Sequence, residues 1–359
     1  IIGSDNVAIN TLWGTYTITD STVESAGNEA TIHCANNKVT LNIIGGTIEN
    51  TGSGCAILEY PGKSGTVNSV SDITISGGVV ITSQNPDIDS GTIYVWNAKS
   101  SFNLYGATVT NTSSTGNAIF CGDSLKVNIR NGNNLIYGGN LAIKGVAPIV
   151  RLSLKGMASS DFDGEDQEDY AADKISSYKF LKFEPNTANV AQIGEMTYPT
   201  LQEAIDAVDD NTIIKLLENI ALDETINTKS KSFTLDLNGK IIDGEKGIAI
   251  AHNAGKLTIK DDAGGGMIFS AGEYTIAMEN EGAELEINNV TLENYYIQGY
   301  AEYNKGDAIY VNKGTLNIND STIRSNENGV YSNESTIGID GSNIDGNTGL
   351  YIRTKSVVN

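Results

Sequence analysis

The sequence predicts an all-β fold, a right-handed parallel β-helix, and three observations carry that expectation. A short apolar–polar template recurs along the chain, a second short strand follows most copies, and no helical periodicity separates the two. The template alternates apolar residues with period two, passes through a Gly, Asn or Asp, and resumes with an apolar position. It reads YTITDSTV at Tyr16–Val23, LNIIGGTI at Leu41–Ile48, ITISGGVV at Ile73–Val80 and FNLYGATV at Phe102–Val109, with a weaker copy from Val127. It returns as LDLNGKII at Leu235–Ile242, with an insertion from Leu257, then at Leu285–Leu292, Leu316–Ile323 and Ile337–Ile344. Copies start between 21 residues (Leu316 to Ile337) and 32 residues (Leu41 to Ile73) apart, a solenoid period.

Each copy is a short strand with one buried face, and the Gly/Asn/Asp position turns the chain into the next strand. Partner strands follow, among them Ala30–Cys34, the CAILE, TIYVW and NAIFC segments, and later AIYVN, GVYSN and GLYIR. Strands this short without crossover helices stack as turns of a coil, about 4.8 Å apart. Asn50, Asn111, Asn294, Asn326 and Asn347 fall just after the template copies. Stacked turns would bring them into one column as an amide ladder.

The repeat is interrupted between about Arg151 and Thr212. An acidic run, DFDGEDQED at Asp161–Asp169, leads to an apolar stretch at Tyr178–Phe183. Thr200 and Glu203 then form a capping box, with Leu201, Ala204, Ile205 and Val208 on one stripe of a short helix. A solenoid end exposes open edges, so this helix is expected to cap a second module. The expected organisation is a first β-helix over residues 1–185, a connection over 186–211 with its helix at 201–208, and a second β-helix over 212–359.

Composition narrows the function. The 359 residues carry 23 Lys+Arg against 44 Asp+Glu, a net charge of −21, which disfavours nucleic acid and anionic lipid as partners. No apolar run reaches the roughly 18 residues of a membrane span, so no membrane insertion is expected. The chain reads as a monomeric piece of something longer. Three cysteines and two histidines show no metal-ligand spacing. Cys34 and Cys121 point inward on strands three steps apart, beyond the ~7 Å Cα limit of a disulfide at ~4.8 Å per step. No disulfide is expected.

The segment IGEMTYPTLQEAIDAVDDNTIIKLLENIALDETI, followed by FTLDLNGKII, resembles a repeat of large cell-surface proteins from Gram-positive gut bacteria, whose modules are pectin-lyase-like β-helices. The match covers about Val190–Ile242. It implies secretion to the cell surface and a binding or structural role, and it supplies no catalytic residues.

That fold also hosts polysaccharide lyases and glycoside hydrolases, which need clustered carboxylates or a pair across the scissile bond. Asp261 and Asp262 are the nearest such pair, and a solvated turn accounts for them better. Asp161, Asp163, Glu165 and Asp166 offer hard oxygen ligands for calcium, the only cofactor entertained, although the spacing is not that of an EF-hand. The sharper signal is side-chain direction. Buried positions such as Ile93 and Val95, or Ile309 and Val311, flank residues that must point outward. Those positions read His33, Leu58, Tyr94 and Phe120 on the first module, and Ala249, Ala277, Tyr310, Tyr331 and Tyr351 on the second. Tyr310, Tyr331, Tyr351, Tyr94 and Phe120 are therefore the candidate ligand-binding residues, with rings laid out for sugar stacking or protein contact. The favoured function is a non-enzymatic, extracellular adhesin or carbohydrate-binding module, with a polysaccharide or cell-surface glycoprotein as partner. The alternatives are an enzyme on the same fold, or a rigid spacer.

Overall fold

A computed structural model describes residues 1–3, 7–35, 38–59, 70–122, 125–294 and 306–359. It is a parallel β-solenoid of about 13 turns, divided into two compact units, Ile1–Asn186 and Thr187–Asn359.

In the first unit, long strands at Gly14–Ser25, Val39–Asn50, Ser71–Ser83 and Ser101–Asn111 pair in parallel as one sheet. The short strands Ile9–Thr11, Ile32–Cys34, Ile57–Glu59, Gly91–Val95, Asn117–Cys121 and Ile143–Lys144 form a second. The template's turn position does not interrupt the long strands. It bends them, because Asp20 (φ 43°), Gly45 (φ 71°), Gly77 (φ 72°) and Gly106 (φ 78°) all adopt left-handed backbone. A Cβ on Gly46 would lie 2.2 Å from the Ser21 carbonyl oxygen, so that bend closes only on glycine.

The second unit uses the same device more sharply. Asn238 (φ 49°), Asn289 (φ 57°), Asp320 (φ 47°) and Gly341 (φ 58°) break the strands, and three sheets result, parallel from rung to rung, with Ala191–Ile193 and Met196–Tyr198 added antiparallel at the start of one. Inward columns such as Leu235–Ile259–Ile287–Ile318 run along the axis, each side chain essentially inaccessible to water. Burying each contributes about 1.5–3 kcal/mol.

One corner carries an alternating side-chain pattern. Ser25 and Thr31, Ser83 and Thr92, and Ser270 and Thr275 pair their hydroxyls at 2.7, 2.7 and 3.0 Å. Each threonine then donates to a carbonyl of the following rung, at Glu49 (2.8 Å), Thr110 (3.0 Å) or Glu293 (2.9 Å). In that following rung the serine is replaced by Asn50, Asn111 or Asn294, and the threonine by Ala56, Ala118 or Ala308. The amides reach back to the rung below. Asn50 donates to Ser25 Oγ (3.0 Å) and the Glu29 carbonyl (2.7 Å), Asn111 to the Asn85 carbonyl (3.0 Å), and Asn294 to the Gly272 carbonyl (3.0 Å). An alanine opposite makes room for the larger amide.

The expected amide ladder is therefore corrected. Asn50, Asn111 and Asn294 are buried but donate to backbone carbonyls, and Asn50 also to Ser25, not to one another; Ser83 stands between Asn50 and Asn111, and Asn326 and Asn347 are exposed outside the column. Ser325 takes the place next to Asn294, faces a rung carrying Gly329 instead of threonine, and leaves its buried hydroxyl without a partner. Amide-to-amide bonds do form elsewhere, between Asn333 and Asn312 and between Asn319 and Asn288, each at 2.8 Å.

The first unit ends by changing strand direction. Phe180–Pro185 runs antiparallel to Asn134–Gly138 and to Leu154–Ser159, and Tyr178, Phe180 and Phe183 close the core. The second begins with the helix Leu201–Ala207, whose Thr200 hydroxyl accepts from the Glu203 amide (3.1 Å) and donates to its carboxylate (3.0 Å). Leu201, Ala204, Ile205 and Val208 are buried against the first rungs. No helix among the described residues is long and apolar enough to cross a membrane.

Candidate functional site

The second unit brings Tyr310, Tyr331 and Tyr351 into one column, each opposite the next in parallel register. Their ring centroids lie 5.5 and 5.1 Å apart with interplanar angles of 39° and 30°. Tyr274 extends the column, its ring stacked on Tyr310 at 4.6 Å and 19°. Sequence reasoning missed Tyr274, because the outward residue in register with Tyr310 is Ala277. The small side chain leaves a gap that a ring three residues earlier fills, which an alternation rule does not register.

Rings stacked this closely cover one another's faces. The inner tyrosines are half-buried against their neighbours and do not offer the open flat faces a stacking sugar would need. Tyr351, at the end of the stack, is 45% exposed. Burial raises the phenol pKa of both Tyr274 and Tyr310, and nearby Glu273 and Glu279 add to the effect. A polar lane runs two residues further along. Asn312 donates to the Glu279 carbonyl (3.3 Å) and accepts from Asn333, whose own oxygen accepts from Thr354 (2.6 Å). Each amide nitrogen carries two hydrogens.

In the first unit the corresponding column reads Asn10, His33, Leu58, Tyr94, Phe120 and Lys144. Tyr94 is only 9% exposed and packs with Ala30, Cys55, Leu58 and Phe120 as a small satellite core. Tyr94 meets Phe120 edge-on at 4.8 Å, and the Lys144 ammonium sits 5.5 Å from the Phe120 ring centre. Trp96, 38% exposed, lies on Gly122, where a Cβ would fall 2.3 Å from the indole.

Asp261 and Asp262 diverge. Asp261 is buried, and its carboxylate accepts from the backbone amides of Gly239 (2.6 Å), Gly266 (2.6 Å) and Ala263 (3.3 Å). Asp262 is exposed and pairs with Lys260. The two therefore organise the insertion and its neighbouring turn. Asp161, Asp163, Glu165 and Asp166 are exposed, with Asp163 accepting from the Glu165 amide (3.3 Å). Among the described residues no three His, Cys, Asp or Glu side chains converge as a metal site.

Glu59 and His252 are buried titratable groups outside these clusters. Glu59 is fully buried at an inward position, between Cys34 and Val95. It accepts from Ser100 Oγ (2.5 Å) and from the Trp96 (3.2 Å) and Asn97 (3.4 Å) amides, and burial raises its pKa. His252 is also fully buried. Its Nε2 contacts the Glu284 (2.9 Å) and Gly255 (3.2 Å) carbonyls, and its Nδ1 contacts Thr228 Oγ1 (2.8 Å). Two carbonyls at Nε2 assign a proton there, and burial lowers the ring's pKa, favouring the neutral form. Cys34, Cys55 and Cys121 are free and buried.

The fold defines the class of this chain as a parallel β-solenoid. The chain matches no protein-family model, no curated protein and no solved structure.

Proposed function

We propose that the chain is a non-enzymatic binding module of an extracellular, cell-surface protein, and that a polysaccharide or glycoprotein is its partner. The observation that carries the reading is the four-ring tyrosine column beside an amide lane, repeated rung after rung on one outer strip. A polyhydroxylated polymer laid along that strip would meet phenol hydroxyls and amide hydrogens at a regular spacing. The resemblance over Val190–Ile242 supports a pectin-lyase-like repeat of Gram-positive origin.

A rigid spacer is the second reading, favoured by the mutual covering of the ring faces, which gives the column a structural use. A glycan array screened with and without calcium separates the two. Binding lost in a Tyr310/Tyr331/Tyr351→Phe variant assigns the contact to the hydroxyls. Binding lost only in the corresponding Ala variant assigns it to the rings. Binding that needs calcium moves the site to the acidic loop, and silence across the array leaves the spacer.

A further inference from the structure

The tyrosine column also has a chemistry of its own, independent of any ligand. The sequence holds 16 tyrosines, and among the described residues the other tyrosine pair in ring contact is Tyr170–Tyr178, at 6.1 Å. In the column, Tyr331 and Tyr351 are held opposite each other by parallel strand register, with centroids 5.1 Å apart and planes already 30° off parallel. Tyr310 packs on the far side of Tyr331, whereas Tyr351 ends the stack and is 45% exposed. Tyr351 is the most exposed of the described tyrosines, and the phenol nearest to it, Tyr331, belongs to the same molecule.

We propose that Tyr331 and Tyr351 form an oxidative cross-linking site, joined ring to ring when a haem peroxidase with hydrogen peroxide acts as the one-electron oxidant. Each phenol loses one electron and its hydroxyl proton, leaving a phenoxyl radical with spin density on the carbons beside the oxygen. Two radicals combine at those carbons through one new carbon–carbon bond. Each ring then passes the hydrogen on its bonded carbon to the oxygen through solvent, which restores both phenols. Two hydrogen atoms leave the protein, and one hydrogen peroxide becomes two waters. The product covalently fastens two successive rungs across an outer face, without displacing their backbone pairing.

The test is treatment of the full chain, at low protein concentration, with peroxidase and hydrogen peroxide. A glutamate-specific protease then cuts at Glu334, between the two tyrosines, and the peptides are weighed. Peptide masses are read because exposed Met196 takes up oxygen under the same conditions. The expected product is one linked pair containing Tyr331 and Tyr351, two hydrogens lighter than its parts and accompanied by dityrosine fluorescence. Tyr331→Phe and Tyr351→Phe should each abolish that peptide. Both keep the ring, so the melting transition of the untreated protein should stay where it is. A dominant link at Tyr170–Tyr178, a dimer joining two chains, or a signal surviving either variant would overturn the assignment.

Discussion

The alternating corner lends itself to a quantitative test at Asn111. This side chain is completely buried. Its amide nitrogen donates to the carbonyls of Asn85 (3.0 Å) and Asn117 (2.9 Å), and its oxygen accepts from the Ser113 amide (3.0 Å). Asn111→Ala removes three bonds and strands two buried carbonyls and one half-buried N–H. At about 1 kcal/mol net per bond, the loss comes to about 3 kcal/mol. For a domain of this size that lowers the melting temperature by about 6–12 °C. The assay is thermal or urea unfolding, read in the first unit's transition for Asn111→Ala and in the second unit's transition for the control, Asn347→Ala. Asn347 is exposed, so its loss should move stability by less than about 0.5 kcal/mol. A loss under about 1 kcal/mol at Asn111, or an equal loss at both positions, would refute the corner argument.

Three further outcomes follow from the buried groups. His252 has its pKa lowered in the fold, so the unfolded chain binds the extra proton and stability falls as pH drops below about 6.5. His252→Gln should flatten that slope in the second unit's melting temperature between pH 7 and 5, and an unchanged slope would count against the buried, neutral ring. Glu59 has the opposite sign: its pKa is raised, so its contribution is fully present at low pH and declines as pH rises through the folded value. Compared with Glu59→Gln, the first unit should therefore lose stability on going from acid to neutral pH, and parallel pH curves for the two proteins would sink the idea. Burial pushes the Cys34 and Cys121 thiols up to about 12, so a disulfide-exchange reagent at pH 8 should label neither until the protein unfolds.

Much of the fold was legible because the template marks a backbone requirement. The Gly, Asn or Asp at its centre is the left-handed residue of the uninterrupted copies, as Gly45, Asn289 and Asp320 demonstrate. The helix cap was legible through Thr200 and Glu203, and the cysteine separation through rung counting. The antiparallel closing strand at Phe180–Pro185 was not, because a cap occurs once and leaves no repeat to read. Asn326 and Asn347 were misplaced for a related reason. A composition rule that tolerates offsets of two or three residues cannot decide which face a side chain takes, and one residue of slip reverses it. The candidate site was half legible. Alternation locates Tyr310, Tyr331 and Tyr351 in one column, but ring orientation depends on what the neighbouring rung carries. The fully buried Glu59 occupies a position that the same alternation assigns to the core, and only Ser100 with the Trp96 and Asn97 amides makes a carboxyl tolerable there.

The serine–asparagine corner bears on how the first unit would come apart under tension. Thr31 and Asn50 bind across one rung boundary, and Thr92 and Asn111 across another, each in both directions. The boundary between those pairs carries Glu59, which accepts from Ser100 and from the Trp96 and Asn97 amides of the following loop and whose pKa is raised by burial. Pulled from its ends, such a stack should shed its rungs in couples, as a zipper with every second tooth welded. The force at which couples separate should then vary with acidity, making the column stiffer in one medium than in another without any change of shape.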